Sequence, residues 1–160
     1  MSSPLFMRDV SLTLKLTSGT RKEFNCDVKT AIIESTPGDE VTTTTLCANG
    51  TFTELGKTTY ALHLIANQDW TANGLANFLW TNEGQVAEFQ YQAHGQTAIP
   101  PTATTPGMAG IVRLVAPNYG GEAENWAELD VTMPCQQRPT IVTAAFPTVM
   151  EAEAPAEAAA

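Results

Sequence analysis

Charge is scarce in this chain. Lys and Arg number 8 and Asp and Glu 17 in 160 residues, 16 % of the whole, against about 25 % in an average soluble domain. The few basic residues are scattered, with Arg21-Lys22 the only adjacent pair, and the net charge is −9. Affinity for phosphate comes from clustered Lys and Arg, so a nucleic-acid binder is excluded, and an anionic membrane surface with it. No apolar run approaches the roughly 18 residues needed to cross a bilayer. The start, MSSPLFMRDV, lacks the basic flank and apolar stretch of a signal peptide. A cytoplasmic product is therefore expected, with Cys26, Cys47 and Cys135 as reduced thiols and the first two packed as small hydrophobes in strand-like runs.

The residues of catalysis are equally thin. His63 and His94 are isolated and near no cysteine pair, so no zinc spacing exists. His63 lies on an apolar strand face and reads as a hydrogen-bonded core histidine; His94, beside Gly95, reads as a solvated loop residue. There is no Gly-x-Ser-x-Gly and no phosphate-cradling glycine pattern. Glu122, Glu124, Glu128 and Asp130 surround Trp126, as a glycosidase pair would. Yet Glu128 and Asp130 alternate with Ala127, Leu129 and Val131, which makes them the solvent face of a strand. Trp70, Trp80 and Trp126 could form a sugar platform, but Trp80 reads as core or interface packing. The expectation is a protein that is not an enzyme, with no catalytic residue, cofactor or metal.

What is abundant is alternation. Val10, Leu12, Leu14 and Leu16 point one way and Asp9, Ser11, Thr13 and Lys15 the other, the period of a half-buried strand. Thr17 to Thr20 reads as a hairpin turn. A second strand carries Phe24, Cys26 and Val28 and continues through Ile32 and Ile33 after a register break. A loop spans Ser35 to Glu40, and Val41 to Cys47 is a Thr-rich strand closed by Ala48-Asn49-Gly50. Thr51 to Lys57 reads as irregular. Thr58 to Ala66 is apolar on both faces, hence central and covered on both sides.

From Ala72 to Asn82 the period becomes helical through Leu75, Phe78 and Leu79, with Asp69 or Thr71 as the cap and Asn82 or Gly84 at the end. Alternation returns over Gln85 to Ala93. Gly95 to Gly110 reads as one long loop, which in a compact domain usually has a purpose. Strands follow at Ile111 to Ala116, Trp126 to Met133 and Thr140 to Ala145. The predicted fold class is mainly β, a β-sandwich or partly open barrel of about seven or eight strands with one short helix. Residues 1–146 form this domain, and 147–160, all but devoid of core-forming residues, form an acidic Ala/Glu/Pro-rich disordered tail.

One block carries a resemblance. The strand Tyr60-Ala61-Leu62-His63-Leu64 runs into Gln68-Asp69-Trp70, the helix Gly74 to Trp80, the turn Asn82-Glu83-Gly84 and the strand Val86 to Tyr91. In order and in these residues it resembles the central block of major tail tube proteins of siphophages. The resemblance implies a structural virion protein of the phage tail, assembled in the host cytoplasm. Six copies would form a ring, and rings would stack into a tube through long loops and terminal segments. Tape measure, tail terminator and tail tip proteins would be its partners, with DNA passing through unbound and no membrane involved. A net-acidic channel wall is expected, with Glu88, Glu128 and Asp130 as candidate lumen-facing residues. The alternative from another class is a carbohydrate-binding or decoration β-sandwich that uses Trp126 and its neighbouring carboxylates.

Overall fold

A computed structural model of the chain describes residues 7–94 and 99–146. Ten strands and one helix are found there: β1 Ser11–Leu16, β2 Lys22–Glu23, β3 Val28–Thr36, β4 Glu40–Thr44, β5 Thr51–Leu55, β6 Thr59–Asn67, α1 Leu75–Thr81, β7 Val86–Gln92, β8 Gly107–Arg113, β9 Glu128–Pro134 and β10 Thr140–Val142. They form a five-stranded sheet in the order β10-β8-β7-β1-β2, a three-stranded sheet β3-β6-β9 and a two-stranded ribbon β4-β5, all antiparallel. The fold is mainly β, in several sheets that do not close into a barrel.

The two larger sheets share one core. Leu12 and Leu14 of β1 and Phe89 of β7 meet Leu62 and Leu64 of β6 and Val131 and Met133 of β9, with Leu75, Phe78 and Leu79 of the helix at the side. Each fully buried Leu contributes about 1.5–3 kcal/mol. Tyr91 of β7 crosses the core, and its hydroxyl donates to the carbonyl of Ala31 in β3 at 3.1 Å; burial raises its pKa. At one margin Val112 bridges to Cys135. Burial there pushes the Cys135 thiol up to about 11, so it behaves as an inert hydrophobe.

Several expectations need correction. Thr51 to Leu55 is a regular strand, because β4 supplies its backbone partners even though every residue of both strands is exposed. The expected long loop ends early, since β8 begins at Gly107; Gly110 leaves room for the Phe89 ring, and a Cβ there would stand 2.8 Å from it. Residues 95–98 of that loop and the 147–160 tail lie outside the described residues. The helix begins at Gly74 without a side-chain cap. Asp69 instead accepts the Thr71 amide at 2.9 Å, and the distant Asp27 accepts the Leu75 amide at 3.1 Å. Cys26 and Cys47 are exposed in turns rather than packed in strands. β6 is central, as its composition implied, yet only its Leu62-Leu64-Ala66 face is buried.

Candidate functional site

β3 and β6 pair from Thr30↔Ile65 to Thr36↔Thr59, and β4 and β5 from Glu40↔Leu55 to Thr44↔Thr51. The residue numbers of all these pairs have one constant sum. The four strands are therefore a single long hairpin in one register, folded at Gly38 and Gly56. There the Gly56 amide donates to Asp39 at 2.9 Å, and a Cβ on Gly38 would stand 2.4 Å from the Gly56 carbonyl carbon. Only glycine admits so close an approach. Beyond the fold the hairpin leaves the body as an arm. From Thr36 to Thr44 it rises about 26 Å at ~3.3 Å per residue. Its tip turns at Asn49, with φ 66°, and Val41, Leu46, Phe52 and Leu55 are bare to solvent. A two-stranded hairpin is at best marginally stable alone in water, so an arm of this kind calls for a partner surface.

The body offers two outward sheet faces, on opposite sides of the core. The face of the three-stranded sheet carries Glu34, Glu128 and Asp130 against Lys29 and His63. His63 is not in the core. Its Nδ1 lies 3.1 Å from Glu34 and its Nε2 2.6 Å from Asp130, tying β3, β6 and β9 together across the surface. The Asp130 hydrogen bond is the main cause that raises the His63 pKa; desolvation opposes it, and the Glu34 hydrogen bond and the two carboxylate charges add to the rise. Lys29 pairs with Glu128.

The outward face of the five-stranded sheet presents Lys15, Arg21 and Arg113 against Glu23 and Glu88. Arg21 donates to Thr13 at 3.1 Å and reaches Glu88 at 3.4 Å; desolvation lowers its pKa and Glu88 partly restores it. Glu88 thus lies on a different face from Glu128 and Asp130, so the three cannot line one wall together. Further along, Ser11, Thr13 and Gln92 are buried polar residues. Residues 99–101 and Phe146 cover them across a cavity of about 250 Å³, with Gln92 donating to the Ile99 carbonyl at 2.7 Å. His94 is half-buried rather than solvated, and its Nδ1 has no partner among the described residues.

At the end of β6 away from the arm, Gln68 knits an aromatic cluster. Its side chain bonds Gly120 through both amide atoms and reaches the Glu128 carbonyl at 2.8 Å, while Trp70 donates to it at 3.2 Å. Trp70 meets Trp80 edge-on at 5.9 Å and Tyr119 at 5.3 Å. Trp80, expected in core or interface packing, is half exposed and so outside the core; Tyr119 is largely exposed and Trp126 is 91 % exposed. Trp126 borders a cleft of about 490 Å³ with Lys29, Asn118, Glu122 and Glu128. Among the described residues no three His, Cys, Asp or Glu side chains are grouped to hold a metal ion.

No family model and no curated protein matches this chain. Solved structures do. A chain in the tail of an empty gene transfer agent particle, refined with C6 symmetry, superposes with a TM-score of 0.57 at 20 % identity, over 85 % of this chain and 96 % of that one. The fold is shared with a tail particle. A chain of the native gene transfer agent virion gives 0.55 at 18 % identity, over 84 % and 96 %. A chain of the anti-feeding prophage baseplate, symmetrised six-fold, gives 0.57 at 9 % identity, over 89 % and 98 %. These likenesses span nearly the whole of each neighbour, so the entire body and not one motif is common to them.

Proposed function

We propose that this chain is a non-enzymatic structural component of a phage-type virion tail, and that six copies form a ring that stacks into a tube conducting DNA. The observation that carries the reading is the near-complete overlap of the fold with chains of a C6-symmetric tail. The arm supports it, since it is exposed along its length and suited to reach a neighbouring ring. So do the outer edges of β3 and β9, which are unpaired within the three-stranded sheet. Open edges are an aggregation hazard in a monomer and become interfaces in a ring.

The charges favour one orientation. Three carboxylates outnumber Lys29 and His63 on the outer face of the three-stranded sheet, even with His63 protonated, whereas three basic side chains outnumber two acidic ones on the other face. The three-stranded sheet is therefore the channel wall in this reading, with Glu34, Glu128 and Asp130 facing the lumen and Glu88 turned away. A like-charged wall gives passing phosphates no fixed partner, and its field extends about a Debye length, ~8 Å at physiological salt. Tape measure, terminator and tip proteins remain the partners to seek at the two ends.

Electron microscopy of the purified chain tests this. Six-fold rings or tubes with Asp130 on the lumen surface are expected. A monomer at all concentrations overturns the assembly, and a lumen richer in Arg and Lys than in Asp and Glu overturns the orientation. The other reading, a carbohydrate-binding module, is favoured by Trp126 beside its polar cleft. It requires saturable glycan binding that Trp126→Ala abolishes.

A further inference from the structure

We propose that the aromatic end of the body, Trp80, Tyr119 and Trp126, is the dock for the arm tip of a second copy of this chain. The inference rests on the tube reading and names the surface that would join one ring to the next.

Topography is the first support. Thr59 at the start of β6 leaves the arm, and Asn67 at its end leads directly into Gln68 and Trp70. Arm and aromatic cluster therefore sit at the two ends of one continuous ribbon. A contact between unlike patches at opposite ends is head-to-tail; along an axis it does not close, and each copy adds one arm and one dock without limit. This is the symmetry of a stack.

Chemistry is the second. From Val41 to Thr53 the arm bears no ionisable side chain except the Cys47 thiol, while Val41, Leu46 and Phe52 stand exposed. The cleft beside Trp126 is rimmed by Glu122 and by Glu128, the latter paired with Lys29, so its one uncompensated charge is acidic and a neutral apolar insert meets no repulsion there. Exposed Trp and Tyr side chains are the residues that most often dominate an interface. Two of them are held in place beforehand: Trp70 buttresses Trp80 and Tyr119, and Gln68 fixes the adjoining Gly120 loop from both sides. Little ordering remains to be done on binding, which favours affinity.

Cys47 lies at the arm tip and is exposed, which supplies a native probe. The full chain carrying Cys26→Ser and Ala123→Cys would be assembled, treated with a short bismaleimide and run under denaturing conditions. Dimers, trimers and a continuing ladder are expected, and Cys47→Ser should abolish them. Tubes that form without a ladder, or linkage that stops at the dimer, would overturn the dock while leaving the tube reading intact. Trp126→Ala gives an independent readout, with loss of stacking and an unchanged melting temperature expected. If that variant stacks normally and Trp126 of the unmodified chain stays open to acrylamide quenching in tubes, the patch serves another ligand, such as a polysaccharide, and the dock is wrong. If the unmodified chain forms neither rings nor tubes, the tube reading fails first and this inference falls with it.

Discussion

The body and the arm are built from the same kind of strand and are stabilised in opposite ways. In the body, alternate side chains of two sheets are removed from water, and the core holds Leu12, Leu14, Leu62 and Leu64 at zero exposure. In the arm, β4 and β5 have equally regular pairing but no residue is buried. Backbone hydrogen bonds each contribute only about 0.5–1.5 kcal/mol net, so regular pairing without burial is weak. The lesson is that strand order and strand stability are separate properties here, and the arm has the first without the second.

Three measurements would break or sharpen this contrast. The largest effect is expected in the body. Leu64→Ala should lower unfolding stability by about 2–5 kcal/mol in urea titration, whereas Phe52→Ala in the arm should change it by less than ~0.5 kcal/mol while weakening assembly. Comparable losses from both would mean that the arm packs on its own body.

The fold between them is next. Gly38→Val forces a side chain against the Gly56 backbone and should displace the arm. Hydrogen exchange in β4 and β5 should then rise while that of β6 and β9 is unchanged. Protection lost throughout the three-stranded sheet would show that the arm and body unfold as one unit.

The smallest effect concerns the surface of the body. The folded pKa of His63 is raised by Asp130 and Glu34. The protonated form is therefore the one that folding favours. Its contribution is fully present below the unfolded value near ~6.5 and is lost as pH rises through the folded value. His63→Gln should accordingly destabilise by no more than ~1 kcal/mol at pH 5.5 and less at pH 9. A difference that grows with pH would have the wrong sign.

Strands with one buried face were legible because their alternation is written in the residues, as in Leu12-Leu14-Leu16 and Leu129-Val131-Met133. The helix was legible through Leu75, Phe78 and Leu79, although its first amide finds Asp27, a partner no local pattern could reveal. Thr51 to Leu55 was illegible as a strand for the reason that makes it unusual: with neither face buried, it has no alternation to read. Gly107 to Gly110 was hidden because small residues that admit the Phe89 and Phe146 rings look like loop residues in isolation. Alternation also separates inside from outside without naming the sheet. Glu88 and Asp130 were both correctly outward, and nothing in their neighbours told that they point in opposite directions.

The unbroken register from Thr30 to Thr51 makes the hairpin a ruler with discrete graduations. Adding one residue to each strand of the arm would turn Phe52 and Val41 to the opposite face relative to the body. Only changes of two residues per strand keep the tip in the same orientation, and each such change moves it by roughly 6.6 Å. An object spaced by this arm could therefore lengthen or shorten its repeat only in steps of that size, and intermediate spacings would require a different fold at Gly38 and Gly56.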